Sequence, residues 1–284
     1  MFPDYNGWET MILKALESIR AGVIDKVVLS RKIVLTARDP WPVNQILMNL
    51  ASMSEDSYVF LYQTGHGRAF FGRTPERLLK LDDRAICVDA IAGTRPRGKD
   101  ANEDRSLESE LLQSPKEMAE HRIVSRYIED RMNRIARHQQ TIFRESILKL
   151  KHLQHIFTRH QGELRNGHHV LDTLKCFHPT PAVNGHPTET ARDLILQWES
   201  GERGWYAGPV GWMTGEAAEF AVGIRSALAC GKHLHIFAGA GIVEGSQPAT
   251  EWQETEDKMR TIRHAAEGGD PAPEASSCPL RGES

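Results

Sequence analysis

The segment Phe237-Ala-Gly-Ala-Gly-Ile-Val-Glu-Gly-Ser-Gln-Pro-Ala-Thr-Glu-Trp-Gln-Glu-Thr-Glu-Asp-Lys258 decides the fold of this chain. It follows an apolar run typical of a strand and passes at once into two glycines, Gly239 and Gly241. A glycine carries no Cβ, so backbone N–H groups can approach a ligand closely there. This part of the segment therefore predicts a strand whose end forms the floor of a binding site.

A helix is predicted directly after this strand, from Glu251 to about Ala266, with Thr250 as its N-cap. Glu251, Glu254 and Lys258 lie three and four residues apart, so their side chains share one helix face. Two carboxylates and an ammonium that face a glycine floor are suited to a divalent cation and a small anion.

Two other interpretations of this segment stay open. A glycine pair after a strand can begin a dinucleotide site, but the third glycine of GxGxxG would fall at Glu244, and no βαβ unit follows. Alternatively, the helix is simply solvent-exposed, with a Glu254–Lys258 pair of no functional meaning.

The composition limits the class of protein. The 284 residues carry 35 basic and 38 acidic side chains, a net charge of −3, which argues against nucleic acid or an anionic membrane as the main partner. No apolar run approaches a membrane span, and the first residues lack a signal-peptide pattern. The 13 histidines are not spaced for a zinc site. A reducing cytoplasm is expected from scattered cysteines without a CxxC pair: Cys87, Cys176, Cys230 and Cys278.

A buried strand is predicted from Ile24 to Val34, after an amphipathic helix that ends near Gly22. Lys26 stands at the start of this strand. A lysine at a strand end commonly extends along the surface to solvent, and periodicity alone favours that interpretation. The alternative is a desolvated lysine that can act as a base.

Further charged residues stand at the ends of predicted elements. Glu76 follows Pro75 immediately before a strand, and Ala92-Gly93-Thr94 is predicted to form a turn. One long helix, or two helices separated near Ser114-Pro115, is predicted over residues 106–137.

Glu117 and Glu120 lie in the first turns after that proline. The positive end of a helix dipole is a sufficient reason for carboxylates there. The functional alternative makes them cation ligands opposite Glu251 and Glu254.

Antiparallel strands are predicted over residues 205–212, 219–229 and 233–238. Arg225 falls inside the second of them. Because a charged residue in an apolar strand is rarely left unpaired, a carboxylate partner from the protein or a ligand is expected. From Gly268 onward the composition predicts a disordered tail. The expected organisation is one catalytic domain over residues 1–267 and a tail over 268–284.

Taken together, these segments resemble the chorismate-utilising enzymes, and the isochorismate synthases most closely. The resemblance extends from about residue 20 to 265 and rests on eight segments in family order: Asp25-Lys-Val-Val-Leu-Ser-Arg31, Thr74-Pro-Glu76, Ile91-Ala-Gly-Thr94, Ser114-Pro-Lys-Glu-Met-Ala-Glu120-His, His178-Pro-Thr-Pro-Ala182-Val, Tyr206-Ala-Gly-Pro-Val-Gly211, Gly223-Ile-Arg225 and Phe237-Ala-Gly-Ala-Gly-Ile-Val243 continued to Lys258. It implies an α/β (α+β) sandwich of largely antiparallel sheets flanked by helices, with the site in a cleft. Family chains are usually longer, so the fold is expected in an N-terminally shortened form.

The resemblance also implies residue roles. Lys26 corresponds to the general base and Glu76 to the general acid of a reaction that adds water at C2 of chorismate and expels the C4 hydroxyl. The implied Mg²⁺ ligands are Glu120 and Glu254 first, then Glu117 and Glu251. The substrate-binding residues that it implies are Thr94, His178, Tyr206, Arg225, Gly241 and Lys258. His178 has an equally acceptable interpretation as a histidine that anchors its loop.

The expected function is therefore that of an Mg²⁺-dependent isochorismate synthase, a cytoplasmic monomer that acts on a small molecule rather than on nucleic acid or membrane. A salicylate synthase, an anthranilate or aminodeoxychorismate synthase, and a catalytically silent chorismate-binding fragment are the alternatives. The last follows from the shortened N-terminus, which would leave sheet edges exposed to a partner subunit.

Overall fold

Two six-stranded antiparallel sheets and seven helices form the structure, a computed structural model that describes residues 3–53, 57–65, 67–149 and 153–268. The helices are α1 (Tyr5–Arg20), α2 (Val43–Ser52), α3 (Ala101–Gln113), α4 (Pro115–Ile135), α5 (Val170–Phe177), α6 (Thr188–Trp198) and α7 (Pro248–Ala266). The strands are β1 (Lys26–Thr36), β2 (Tyr58–Gly65), β3 (Arg68–Thr74), β4 (Arg77–Asp82), β5 (Ala85–Pro96), β6 (Ala136–Lys149), β7 (Leu153–Leu164), β8 (Gly185–His186), β9 (Pro209–Met213), β10 (Ala217–Val222), β11 (Ser226–Cys230) and β12 (His233–Ile242).

The first sheet has the strand order β2-β3-β11-β12-β1-β8, and the second has the order β6-β7-β5-β4-β10-β9. Apolar residues of α1, α2, α6 and α7 cover the first sheet, and those of α4 and α5 cover the second. The predicted fold class, largely antiparallel sheets flanked by helices, is confirmed.

Strand β12 packs against a helix layer with one face and lines the space between the two sheets with the other, because successive strand residues point to opposite faces. Its even-numbered residues, Leu234 to Ile242, pack with apolar side chains of α1, α2 and α7. Phe237 instead belongs to the core of the second sheet. Gly239 and Gly241 are odd-numbered like Phe237, so they lie on the same face of the strand. The glycine floor therefore faces the space between the sheets.

The chain crosses between the sheets twice at one place. Strand β3 of the first sheet leads to β4 of the second through Pro75 and Glu76, and β10 returns to β11 through residues 223–225. Val222 N donates to the Glu76 carbonyl, and Arg73 N donates to the Arg225 carbonyl, both at 3.0 Å. The two connections run side by side, which brings Glu76 and Arg225 together between the sheets.

Two local predictions about backbone geometry at the site are wrong. Residues 219–229 are not one strand, since β10 ends at Val222 and β11 begins at Ser226. Arg225 lies in the connection with φ 48°, a conformation that a non-glycine residue keeps only when its surroundings demand it. The turn predicted at Ala92-Gly93-Thr94 is a bulge within β5, where the pairing with β7 shifts.

Two helix boundaries also differ from prediction. Helix α7 begins at Pro248 with Gln247 at the N-cap, so Thr250 does not cap it; proline suits the first turn because its missing N–H needs no partner there. The helix predicted to run to residue 137 ends at Ile135, and the unpredicted strand β6 follows. Strand β6 gives a weak sequence signal because it is a largely exposed edge strand, interrupted by positive φ values at His138 and Glu145.

Within the described ranges, none of the helices combines the length and the apolar character needed to cross a membrane. Cys87, Cys176 and Cys230 are free thiols. Cys278 and the predicted tail, apart from Gly268, lie outside the described residues.

Candidate active site

Lys26, the first residue of β1, is fully buried. Val28 pairs with Gly241 and Ser30 with Gly239, so Lys26 projects on the side of the glycine floor. Its Nζ lies 2.9 Å from Glu120 Oε1 but is not directed at it as a hydrogen bond, and Nζ has no hydrogen-bond partner in the described structure. A lysine that extends to solvent is therefore the wrong interpretation. The Nζ group is desolvated inside the protein.

Gly241 allows Lys26 and Glu120 to meet. A Cβ at this position would lie 2.9 Å from Glu120 Cδ and 3.0 Å from Lys26 Cε, and closer still to Glu120 Oε1. These atoms are the far ends of two side chains, so an alanine would displace the ion pair rather than the backbone.

Replacing Gly241 with alanine is expected to leave the fold intact and to lower catalytic efficiency by about 10²-fold, because displacing a reacting group by about an ångström is that costly. Steady-state kcat/KM and a thermal melt measure the two effects. The matched control is Gly215→Ala, where no atom lies within 4 Å of the added Cβ. Full activity of the Gly241 variant would show that the Lys26–Glu120 contact is dispensable.

Glu76 is 8% exposed and lies in the crossover between β3 and β4. Burial raises the pKa of Glu76 to about 7, although Lys26, Lys258 and Arg225 each oppose the shift. The carboxyl thus keeps its proton in a substantial fraction of molecules near neutral pH. Because Lys26, Lys258 and Arg225 all act on Glu76, the structure brings these four predicted residues near one another inside the protein.

The four predicted metal ligands form two pairs at the N-terminal turns of two helices: Glu117 and Glu120 on α4, and Glu251 and Glu254 on α7. Each carboxylate contacts a basic side chain, at distances of 3.1 Å for Arg95–Glu117, 2.9 Å for Lys26–Glu120, 2.6 Å for Lys116–Glu251 and 2.5 Å for Lys258–Glu254.

The like charges within each pair act on one another. Burial and then the charge of Glu120 raise the pKa of Glu117. Burial likewise raises the pKa of Glu251 beyond what Lys116 offsets, with the charge of Glu254 adding to the rise. Burial also opposes ionisation of Glu254, but Lys258, Lys116 and Glu251 together outweigh it and lower the pKa of Glu254. The cluster therefore holds buried negative charge that a further cation would stabilise.

These residues fit Mg²⁺ by their chemistry, since the ion takes a few carboxylate oxygens and keeps several waters. Glu251 Oε2 is buried and has no hydrogen-bond partner, so one oxygen is available to a cation. No three acidic, histidine or cysteine side chains of the described residues are already gathered around one point as metal ligands.

Lys258 and Tyr206 border the other end of the glycine floor. Lys258 Nζ donates to the Gly239 carbonyl at 2.9 Å. Tyr206 is buried and stacks on Phe237, with ring centroids 5.4 Å apart. A Cβ at Gly239 would lie 3.0 Å from the Tyr206 hydroxyl, so the glycine makes room for that group.

Arg225 has no ion-pair partner among the described residues, and its buried Nε lacks a hydrogen bond. Desolvation lowers the pKa of Arg225, while Glu254, Tyr206 and Glu76 oppose the shift from a distance. The predicted protein carboxylate partner is therefore absent within the described structure. A carboxylate ligand remains the prediction for Arg225.

Thr94 lies at the β5 bulge, and its Oγ1 is 3.0 Å from Nδ1 of His155 on β7. His155 is buried, and desolvation followed by the charges of Arg225 and Lys258 lowers its pKa to about 3. The imidazole is therefore neutral and holds the Thr94 hydroxyl beside the cluster of cations.

His178 is not brought together with the other predicted residues. It follows α5, burial lowers its pKa to about 4, and its Nδ1 is buried without a partner. No contact joins it to another predicted site residue in the part of the chain that the structure describes. Its place in the site stays a prediction.

Sequence reasoning missed two residues of the site, Lys116 and His155. Lys116 stands inside the Ser114-Pro-Lys-Glu117 segment, so the segment itself pointed to it, but its partner Glu251 is 135 positions away. His155 had no distinguishing signal, since one histidine in an alternating strand pattern is commonplace.

Comparison with known proteins places these residues in a family context. A family profile described as "Chorismate binding enzyme" matches residues 2–267. The chain is 37% identical over 266 residues to isochorismate synthase MenF of Bacillus subtilis, covering 93% of this chain and 56% of that protein. It is 35% identical over 264 residues to anthranilate synthase component 1 of Saccharolobus solfataricus, covering 92% and 62% respectively.

A solved structure of MenF, the menaquinone-specific isochorismate synthase from Escherichia coli, matches the fold with a TM-score of 0.87 at 32% identity, covering 93% of this chain and 61% of that one. The chain spans 56% of the length of the Bacillus relative and 45% of a plant isochorismate synthase from Catharanthus roseus. It thus corresponds to about half of these relatives.

Proposed function

The chain belongs to the family of chorismate-binding enzymes, and we propose that it is an isochorismate synthase. One observation carries the proposal: a buried amine, Lys26, and a buried carboxyl with a raised pKa, Glu76, lie close enough to act on each other electrostatically. A reaction in which water loses a proton as it attacks one ring carbon, and a hydroxyl gains a proton as it leaves another, needs such a pair.

In the proposed reaction, water adds at C2 of chorismate, the ring double bonds shift, and the C4 hydroxyl leaves. As the neutral amine, the form that a base requires, Lys26 accepts a proton at Nζ from the attacking water. Glu76 gives its proton to the departing oxygen, because hydroxide is a poor leaving group. One water enters and one leaves, so substrate and product are isomers.

The neighbours of both groups support these roles. Lys26 Nζ has no directed hydrogen bond, so it is free to contact a water. Glu120 lies 2.9 Å from Nζ and holds it in place. Desolvation keeps the Glu76 carboxyl protonated up to about pH 7.

The two substrate carboxylates are proposed to bind at opposite ends of the glycine floor. Arg225 and the Tyr206 hydroxyl would hold the enolpyruvyl carboxylate, with the arginine supplying parallel donors. Thr94, Lys258 and backbone amides near Gly241 would hold the ring carboxylate. Glu120 and Glu254, with Glu117 and Glu251 behind them, would hold Mg²⁺, which would supply a fixed positive charge for that carboxylate.

The proposal includes a cytoplasmic, monomeric protein whose partner is the small molecule chorismate rather than nucleic acid or membrane. The free thiols of Cys87, Cys176 and Cys230 support a reducing compartment. The near balance of charges supports a small-molecule partner.

Incubation with chorismate and Mg²⁺, followed by chromatography of the products, tests the proposal. Isochorismate alone is the expected product. Salicylate with pyruvate would identify a salicylate synthase. Product that forms only with ammonia would identify an aminating enzyme, the alternative favoured by the likeness to anthranilate synthase component 1.

A second candidate is a silent chorismate-binding fragment that joins a partner through its sheet edges. It is favoured by large apolar side chains on or beside the edge strands β2 and β9, each at least 46% exposed: Tyr62, Trp205, Trp212 and Met213. A cooperative circular dichroism melt of the isolated chain together with turnover would exclude it. A chorismate-induced rise in melting temperature without turnover would support it.

A further inference from the structure

Lys116 joins the starts of two helices at the proposed metal site. It is the second residue of α4, and its Nζ lies 2.6 Å from Oε1 of Glu251 in the first turn of α7. The Glu251 side chain is fully buried, whereas that of Lys116 is 24% exposed. The lysine therefore reaches a buried carboxylate from the solvent side.

The charge of Lys116 acts on every carboxylate in the cluster. Its electrostatic partners include Glu251, Glu117 and Glu120, and it acts on Glu254 as well. It also occupies one of the two Glu251 oxygens, while the other, Oε2, has no hydrogen-bond partner. Lys116 thus places a positive charge beside the carboxylates that a divalent cation would use.

An ammonium and a divalent cation repel one another strongly where water is excluded. We propose that Lys116 is a built-in competitor of the metal: its charge beside the carboxylate cluster weakens cation binding, and a bound cation drives its Nζ away from Glu251 Oε1 toward solvent. The exposed part of its side chain provides that route. This inference rests on the proposed function, because it takes the carboxylate cluster to be an Mg²⁺ site. In this proposal Lys116 controls the affinity for the metal and takes no part in proton transfer.

The test measures metal affinity directly in the full chain, with Mn²⁺ as a paramagnetic substitute for Mg²⁺, by electron paramagnetic resonance titration. Lys116→Met is expected to bind Mn²⁺ with a Kd ~10-fold lower than the unchanged protein, since one competing cation is gone. Lys116→Gln, which can still donate to Glu251, should show the same change and serves if the methionine variant does not fold.

Lys149→Met is the matched control. Lys149 also forms ion pairs with helix carboxylates, at 3.1 Å to Asp104 and 2.7 Å to Glu108, but these lie on α3 outside the cluster. The Kd of Lys149→Met for Mn²⁺ should equal that of the unchanged protein. A second measurement is the melting temperature: Lys116→Met should melt lower in EDTA, because Glu251 loses its partner, and should gain more from MgCl₂.

An unchanged or higher Kd in both Lys116 variants, with isochorismate formation retained, overturns this inference alone. Absence of Mn²⁺ binding by the unchanged protein overturns it together with the metal in the proposed function. Formation of a product other than isochorismate overturns the proposed reaction and leaves the affinity comparison valid.

Discussion

Replacing Glu76 with glutamine is expected to lower kcat for isochorismate formation about 10³-fold, within the usual range for losing a general acid. Glutamine has the size and hydrogen-bonding shape of a protonated glutamic acid but has no proton to give to the departing hydroxyl. Substrate binding should change little, so the loss should appear in kcat rather than in KM. Steady-state kinetics with chorismate measures both.

The pH dependence offers an independent check on the same group. Activity that needs a protonated Glu76 should fall as the pH rises above about 7, the raised pKa of this buried carboxyl. In the glutamine variant this limb of the profile should disappear from the residual activity. A profile of the unchanged enzyme that stays level from pH 6 to 9 would contradict Glu76 as the acid.

Stability should respond with a defined sign. The pKa of Glu76 is about 7 in the folded protein, against an ordinary value of 4.5. Below 4.5 both states hold the proton, and above it the unfolded chain releases the proton first, so the free energy of unfolding falls until about pH 7. The loss is on the order of 3 kcal/mol for this shift. The Glu76→Gln variant has no titrating carboxyl at this position, so this fall in the free energy of unfolding is absent. The variant should therefore become more stable than the unchanged protein across that pH range.

Chemical denaturation at pH 4.5 and pH 8 measures this difference. The matched control is Glu219→Gln, a partly buried glutamate on β10 that accepts a hydrogen bond from Tyr58 and lies outside the cleft. It should keep the activity of the unchanged protein. If the gain in free energy of unfolding of Glu76→Gln over the unchanged protein is no larger at pH 8 than at pH 4.5, the Glu76 carboxyl is not desolvated, contrary to the structure.

Replacing Lys26 with methionine is expected to lower the activity at least ~10³-fold, because methionine fills a similar volume but cannot accept a proton. The side chain is fully buried and its Nζ contacts Glu120 at 2.9 Å. Glu120 is 16% exposed, so it can turn to water when the ammonium is lost. The variant should therefore remain folded and show a cooperative melt.

Lys32→Met on the same strand is the control for removing a lysine from β1, and it should keep full activity. The two measurements are kcat/KM and the thermal melt. Activity of Lys26→Met within tenfold of the unchanged enzyme would exclude Lys26 as the base. If Lys26→Met loses both its activity and its cooperative melt, Lys26→Arg replaces it in the test, because arginine keeps a positive charge and still lacks a suitable base.

The elements of the fold follow from local sequence to a large degree, as particular segments illustrate. The amphipathic spacing of Trp8, Ile12 and Leu16 predicts α1, and the proline at 115 predicts the division between α3 and α4. Edge strand β6 escaped prediction because it is largely exposed and its register with β7 shifts at three places, so no regular alternation of buried and exposed residues is kept.

The sequence by itself determined the glycine floor, the shared face of Glu251, Glu254 and Lys258, and the ordered segments that place the chain among chorismate-binding enzymes. Only the tertiary structure decided that Lys26 is buried against Glu120, that Lys116 holds Glu251, and that Glu76 and Arg225 lie side by side in two crossovers. The physical reason is that periodicity acts between near neighbours in the chain. Desolvation and Coulomb interaction depend instead on distances in space between residues that lie far apart in the chain, as Lys116 and Glu251 do at a separation of 135 positions.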